Sequence, residues 1–416
     1  MSTSDTEPID VARIREDFPI LQREFDGERL VYLDNAATTQ TPEPVVEAIA
    51  DYYRTTNANV HRGIHHLSQE ASIAYEEAHD RLAAFVGASG GREEMIFTKN
   101  TTEAENLVAY AWGLNELGPD DAVVLTEMEH HASLVTWQQI AKKTGAEVRY
   151  IGVTDDGKLD MEHAKEVVDD DVAIASVVHV SNTLGTVVPV AELADMVHEH
   201  DGLFFVDGAQ AVPTRPVDVE AIDADFYSFS GHKMAGPTGI GGLYGKQYLL
   251  EEMEPFNYGG GMIKRVSFEG ATWNDLPWKF EAGTPVIAQG IALAEAADYL
   301  DDIGMERIRR HEETLATEAY RRLEEIDDVS VLGPEPGDDA RGGLLAFSVD
   351  VLHAHDLASI MNDRAVAVRA GDHCTQPLHD KLGIPASTRA SFYIYNTVEE
   401  IDPLIAGVED AIELFS

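Results

Sequence analysis

The chain has 416 residues, 44% of them hydrophobic, with 75 acidic against 30 basic residues and a net charge of −45. That length suits two domains with a sizeable core. The acid excess excludes nucleic acid and anionic membrane surfaces as partners, and no apolar run approaches the ~18 residues needed to span a membrane. The acids recur along amphipathic stretches, as at Glu76-Glu77 and Glu312-Glu313, rather than gathering in a tail. This argues against disorder and points to a high-salt, halophilic setting, where self-repulsion is screened within ~3 Å at 1 M salt.

Met1 to Asp10 is polar and acidic, so neither a secretory nor a transit peptide is expected. The single cysteine, Cys374, allows no intrachain disulfide and fits a reducing, cytoplasmic setting. Residues 10–17 read as a short helix and Val31-Tyr32-Leu33 as a short strand. Pro42 opens a helix expected to carry Val45, Val46, Ile49 and Tyr53 on one face. A polar loop from Asn57 to His66 leads to an amphipathic helix over Ser68 to Val86. Strands and helices then alternate. Strands are expected at Met95–Thr98, Ala122–Thr126, Val148–Val153, Val172–Val178, Leu203–Val206 and Phe226–Phe229. Helices are expected from Thr101 or Thr102, then at Ala132–Lys143, Met161–Val168 and Val190–His200. Apolar strands alternating with helices predict a mostly parallel sheet covered on both faces, with ligands at the carboxyl ends of the strands.

The chemically able residues fall at those ends. Thr101 and Thr102 open a helix, where backbone N–H groups favour a phosphate; an ordinary Thr cap is the other reading. Glu129-His130-His131 follows the next strand, but adjacent helix residues point apart, so no metal site is expected. Asn182 follows Val172–Val178. Asp207 ends its strand and is placed to hold a pyridinium N–H or to cap a helix, with Gln210 three residues on. Ser230-Gly231-His232-Lys233 ends the buried apolar strand from Phe226. A buried ammonium is costly, so Lys233 is expected to lose its proton or find a use, of which a Schiff base with a cofactor aldehyde is the strongest. The glycines Gly239 to Gly245 and Gly259 to Gly261 lack the strand-to-helix setting of a dinucleotide loop. Long helices over Val286–Leu300 and Met305–Leu323 lead to a smaller α+β part. Its expected strands are Val329–Leu332, Leu344–Val349, Val366–Arg369 and Thr388–Tyr395, and its helices lie near Ala354–Met361 and Val398–Phe415. Cys374 sits in a polar loop, which favours an exposed nucleophile over a buried, inert thiol.

Three motifs coincide: Asp207-Gly-Ala-Gln210, Ser230-Gly-His-Lys233 and Arg369-Ala-Gly-Asp-His-Cys374. With Leu33-Asp-Asn-Ala-Ala37 and Arg389-Ala-Ser391, they make nearly the whole chain resemble the fold-type-I, pyridoxal 5′-phosphate (PLP)-dependent cysteine desulfurases of aminotransferase class V, within them the SUF-system (SufS-like, group II) branch. The resemblance implies an α/β fold of PLP fold type I. A large PLP-binding domain would span residues 31–285, and a smaller domain would combine residues 1–30 with 286–416.

The resemblance also implies roles. Lys233 would be the Schiff-base lysine and Asp207 the partner of the pyridine nitrogen. Gln210 would bond the ring hydroxyl, and His130 would stack on the ring as acid or base. Thr101, Thr102, Ser230 and His232 would hold the phosphate, with Thr284 reaching the phosphate of the other subunit of a homodimer. Asn182 and Arg389 would hold the substrate, L-cysteine, with His61 and Arg62 in a segment lining the site. Cys374 would take the sulfur as a persulfide, leaving L-alanine, and pass it to a SUF-system acceptor protein for iron–sulfur cluster assembly. Selenocysteine lyase, kynureninase or aminotransferase activity and a silent scaffold are the alternatives. Where the family usually reads Arg-x-Gly-His-His-Cys, this chain has Asp372 for the first His. That bears on the charge at the thiol, which a protonated His373 would partly offset.

The net charge generates a direct expectation: the protein loses its fold or its assembly as salt is withdrawn. Circular dichroism and light scattering across a salt series read this, and flat behaviour from dilute buffer to molar salt contradicts it.

Overall fold

A computed structural model describes residues 7–61, 63–337 and 339–415. In chain order, β1 (Val31–Tyr32) and α1 (His66–Phe85) lead to β2 (Met95–Thr98), α2 (Thr101–Val108), β3 (Ala122–Thr126) and α3 (His131–Thr144). Then come β4 (Glu147–Ile151), β5 (Val172–Val178), β6 (Leu203–Asp207), β7 (Phe226–Ser230) and β8 (Gly241–Gly245). The strands from β2 to β8 form one sheet in the order β2-β8-β7-β6-β5-β3-β4, parallel except for β8, which is antiparallel to both neighbours. The α/β architecture expected from the alternation is the one observed.

The inner strands are apolar because both of their faces are covered. In β3, Ala122 and Val124 face one core and Val123 and Leu125 the other. The first core is closed by Ala71, Tyr75 and Leu82 of α1, the second by Leu107 of α2 and Trp137 of α3. The inner strands β3, β5 and β6 therefore read as largely apolar runs, while the edge strand β4 keeps Glu147 and Arg149. β8 escaped the sequence reading because three of its five residues are glycine. The glycines serve close packing. A Cβ on Gly241 would lie 2.4 Å from the Phe229 carbonyl oxygen, and one on Gly242 would lie 2.3 Å from the Phe229 ring.

Beyond this sheet, α4 (Ile287–Ile303) and α5 (Met305–Glu324) lead to β9 (Val329–Val331), β10 (Leu344–Val349), β11 (Val366–Ala367), β12 (Arg369–Gly371), α6 (Gln376–Leu382), β13 (Ser387–Ser391) and α7 (Ile401–Phe415). The second sheet has the order β9-β10-β13-β12 and is antiparallel throughout. The strand expected over Val366–Arg369 divides: β11 pairs in parallel with β1, while β12 pairs with β13. The strand expected to run to Tyr395 stops at Ser391, and the next amide, Phe392 N–H, donates to Gly343 O instead. The N-terminal segment packs on this part of the chain. Arg15 donates to Tyr395 O at 2.6 Å and pairs with Glu400 at 2.7 Å.

Two local expectations are corrected. The helix opened by Pro42 spans Glu43–Asp51 and turns Val45, with Ala48 and Ile49, onto Ala292 and Ala296 of α4. Val46 and Tyr53 lie off that face and are exposed. The cap of α2 is Asn100, whose Oδ1 accepts from Glu103 N at 3.0 Å, rather than either threonine.

Candidate active site

A cavity of about 420 Å³ opens at the carboxyl ends of β2, β3, β5, β6 and β7, and β12, the turn after it and β13 close its far side. Thr101 and Thr102 bring the first turn of α2 to one end. There the Thr101 N–H donates to Ser230 Oγ at 2.9 Å, and Ser230 Oγ lies 3.0 Å from Thr101 Oγ1. The start of α2 beside the hydroxyls of Thr101, Thr102 and Ser230 and the His232 ring makes a cradle suited to a phosphate.

Lys233 follows β7 and lines the centre of the cavity with Asp207 and His130. Burial pushes the Lys233 ammonium down to about 8, against the upward pull of the Asp207 carboxylate. Burial also pushes the Asp207 carboxyl up, although Ala209 N–H donates to its Oδ1 at 2.8 Å and Lys233 opposes the rise. His130 is driven down to about 3 by burial and by the charges of Lys233, His131 and Arg389. Its Nδ1 accepts from Ala132 N at 3.0 Å and caps α3, so the proton of the neutral ring is on Nε2. Burial, then Lys233, pushes His232 down to about 4. Gln210 Nε2 donates to Ala36 O at 2.7 Å, which ties the loop after β6 to the segment after β1.

Arg389 of β13 and Asn182 after β5 meet across the two sheets. Arg389 Nη1 donates to Asn182 O at 2.8 Å, and Asn182 Nδ2 donates to His373 O at 2.7 Å. Two buried atoms on this wall, Arg389 Nε and Asn182 Oδ1, have no hydrogen-bond partner. A guanidinium with an unpartnered Nε, next to an unpartnered amide oxygen, suits a ligand that carries both a carboxylate and an N–H group. Burial lowers Arg389 to about 10, and Asp34, 3.6 Å from Nη2, acts against that fall. Cys374 is exposed, as expected. It occupies the third place of a four-residue turn closed by Thr375 N–H to Asp372 O at 2.8 Å, with His373 at φ 50° and Cys374 at φ 60°. Each left-handed non-glycine residue costs on the order of 1–3 kcal/mol, so the surroundings must hold the turn.

The cavity thus gathers Thr101, Thr102, His130, Asn182, Asp207 and Gln210 with Ser230, His232, Lys233, Cys374 and Arg389. Within this chain it does not include Thr284, which is exposed, or His61, whose ring lies 4.2 Å from that of Trp278. Arg62 lies outside the described residues. His373 cannot offset charge at the thiol: burial and Arg389 push it down to about 2, and its Nε2 meets Ser387 Oγ at 3.0 Å. The sequence reading missed Asp34, whose carboxylate holds Arg369 through a two-armed pair, Oδ1 to Nε at 3.0 Å and Oδ2 to Nη2 at 2.7 Å. It also missed the buried carboxyl of Glu105, and it named Glu129 without foreseeing its burial. Burial raises both, Glu129 to about 8. A charged residue amid the apolar positions of α2 was the available signal for Glu105.

The donor set fits PLP: a phosphate cradle, an amine of lowered pKa and a buried carboxyl for a ring N–H. No group of three His, Cys, Asp or Glu residues suited to a metal occurs among the described residues, and no helix among them is long and apolar enough to cross a membrane. The family model described as aminotransferase class-V matches residues 31–404. The chain is 68% identical over 428 residues to a cysteine desulfurase of Haloferax volcanii and 70% identical over 417 residues to a probable cysteine desulfurase of Halobacterium salinarum, with 100% of each chain covered. Among solved structures it resembles the apo cysteine desulfurase of Thermococcus onnurineus NA1, with a TM-score of 0.91, 40% identity, and 98% and 99% of the two chains covered. It also resembles an Escherichia coli cysteine desulfurase in an S-sulfonic acid form, with a TM-score of 0.90, 36% identity, and 99% and 100% covered.

The electrostatics of Lys233 generate a prediction. Since its pKa falls from 10.5 to about 8, the cofactor-free protein bonds added PLP at a rate that rises through pH 8 and then levels. Asp207 raises that pKa, so Asp207→Asn moves the midpoint lower still. Absorbance of the bound cofactor reads both; a midpoint near 10.5, or one that Asp207→Asn leaves in place, contradicts the assignment.

Proposed function

The chain belongs to the aminotransferase class-V family and is a PLP-dependent cysteine desulfurase, and we propose that it moves the sulfur of L-cysteine onto Cys374 as a persulfide and releases L-alanine. The observation that carries this reading is that the Lys233 amine and the exposed Cys374 thiol line one cavity. The atoms balance without an outside oxidant: cysteine loses its C–S bond, Cys374 gains an S–S bond, and the thiol proton makes up the methyl group of alanine.

Bound PLP supplies the electron sink that lets charge leave the substrate Cα. In this reading Lys233 holds the cofactor aldehyde and moves the Cα proton on its Nζ, which its lowered pKa suits. Asp207 keeps a proton on the ring nitrogen. Thr101, Thr102, Ser230 and His232 hold the phosphate, and Gln210 holds the ring hydroxyl. His130 stacks on the ring, and its Nε2–H is the proton available to the leaving sulfur. Arg389 and Asn182 offer their open Nε and Oδ1 to the substrate. Cys374 then attacks the sulfur as thiolate.

The finer reading extends to the assembly. A homodimer would bring Thr284 to the partner's phosphate and the segment of His61 and Arg62 to its site, which the exposure of Thr284 supports. The tight turn at Cys374 supports direct collection of the sulfur by an acceptor protein of the SUF system, for iron–sulfur clusters. The charge of −45 and the likeness to proteins of two halophilic archaea support a high-salt cytoplasm. The two sheets and the docking of the N-terminal segment support a large part ending near 285 and a smaller one that joins 1–30 with 286–416, to which β1 is also tied by its pairing with β11.

The test is alanine release from L-cysteine by the wild type and by Arg389→Ala. The wild type releases alanine. The variant keeps the colour of bound PLP but raises KM for cysteine about ten- to a hundredfold, as loss of a charge-assisted fork implies. No alanine from the wild type sinks the activity, and an unchanged KM removes Arg389 from the substrate wall.

A further inference from the structure

Cys374 is held in an unfavourable backbone conformation, and its contacts divide unequally. The carbonyls of the turn are fixed from outside: His373 O by Asn182 Nδ2 at 2.7 Å, and Cys374 O by His131 N–H at 2.8 Å. Behind the turn, Thr375 Oγ1 lies 2.8 Å from Thr183 Oγ1. The Cys374 N–H is met from within the turn, by Asp372 Oδ1 at 3.1 Å. Asp372 also accepts from Thr375, through its carbonyl, at 2.8 Å. One residue therefore closes the turn with its main chain and fixes the cysteine amide with its side chain.

We propose that Asp372 is a positioning residue for the thiol, and that its place requires a hydrogen-bond acceptor for the Cys374 N–H rather than a charge. The sequence departs from the usual family pattern at this residue, Asp standing for His, and the chain itself contains the comparison. His130 Nδ1 accepts from the amide two residues on, Ala132 N, at 3.0 Å, and His353 Nδ1 accepts from His355 N at 3.3 Å. A histidine can thus make the bond that Asp372 makes, two residues ahead along the chain. Asp and His differ in charge at neutral pH but share the acceptor. The proposal rests on the reading of Cys374 as the sulfur-accepting thiol. Beyond the cysteine itself, that reading stands on the Lys233 amine lining the same cavity and on the unpartnered Arg389 Nε and Asn182 Oδ1 buried in its wall.

The test compares Asp372→Asn, Asp372→His and Asp372→Ala holoenzymes in molar salt, where charge effects are screened. Persulfide formation in a single turnover, KM for cysteine, cofactor absorbance and amide hydrogen exchange at Cys374 are measured. Asn and His keep the acceptor, so both form persulfide within about twofold of the wild type and keep the Cys374 amide protected. Ala forms it about five- to tenfold more slowly, as for a lost side-chain-to-backbone cap, with KM and absorbance unchanged and the amide exchanging fast. Ala at the wild-type rate overturns the proposal, as do Asn and His as slow as Ala. Should Ala fail to fold, Asn and His decide it: rates near the wild type with a protected amide support an acceptor role, and slow persulfide formation in either overturns it. Cys374→Ala is run alongside. Persulfide formed by that variant refutes the nucleophile assignment itself, whatever the Asp372 proteins do.

Discussion

The site depends on a reciprocal hold at Asn182. Its carbonyl accepts from Arg389 and its side chain donates to the His373 carbonyl, so one residue after β5 grips both β13 and the turn after β12. All of these groups are buried, and a buried polar group left without its partner costs about 1–3 kcal/mol. The His131 amide, bound to Cys374 O, makes a second grip a few ångströms away. Without these bonds the large sheet would still present Lys233 and Asp207, but the guanidinium and the thiol would lose bonds that hold them to the same cavity.

Around that hold, burial drives ionisable groups toward neutrality. Burial lowers Lys233, His130, His232 and His373 and raises Asp207, Glu105 and Glu129. Even lowered to about 10, Arg389 keeps its charge at neutral pH. It gives the cavity wall a buried cation, inside a molecule whose net charge is −45. An anionic group entering from an acidic surface meets the attraction of that guanidinium in the cavity that the amine and thiol line. Low dielectric strengthens that attraction and shields it from the salt that screens the exterior.

Much of this was legible in the sequence for a physical reason. Strands buried on both faces are apolar without interruption, so β3, β5 and β6 could be bounded nearly to the residue. The polar residues that broke those runs, Asp207, Lys233, Asn182 and His130, then stood out at the strand ends. β8 was illegible because its glycines answer to the close approach of Phe229 and Leu250, contacts with no local signature. Val46 lies one position from buried Val45, and only the direction of α4 decides which of them is covered. The protonation of Glu105, Glu129 and His373 depends on burial by segments distant in the chain. The Asp34 to Arg369 pair joins residues 335 positions apart. The acceptor role inferred for Asp372 was hidden for a different reason: its charge was visible in the sequence, while its bond to the Cys374 amide was not.

The most direct test follows one sulfur atom. The holoenzyme is given L-cysteine carrying a heavy sulfur isotope, quenched after a single turnover and alkylated, and its peptides are mapped by mass spectrometry. One labelled sulfur on the peptide containing Cys374, in amount equal to the alanine released, is the expected result. Label on any other residue, or alanine released with Cys374 unlabelled throughout, would contradict the placing of the thiol and the lysine amine on opposite sides of one substrate.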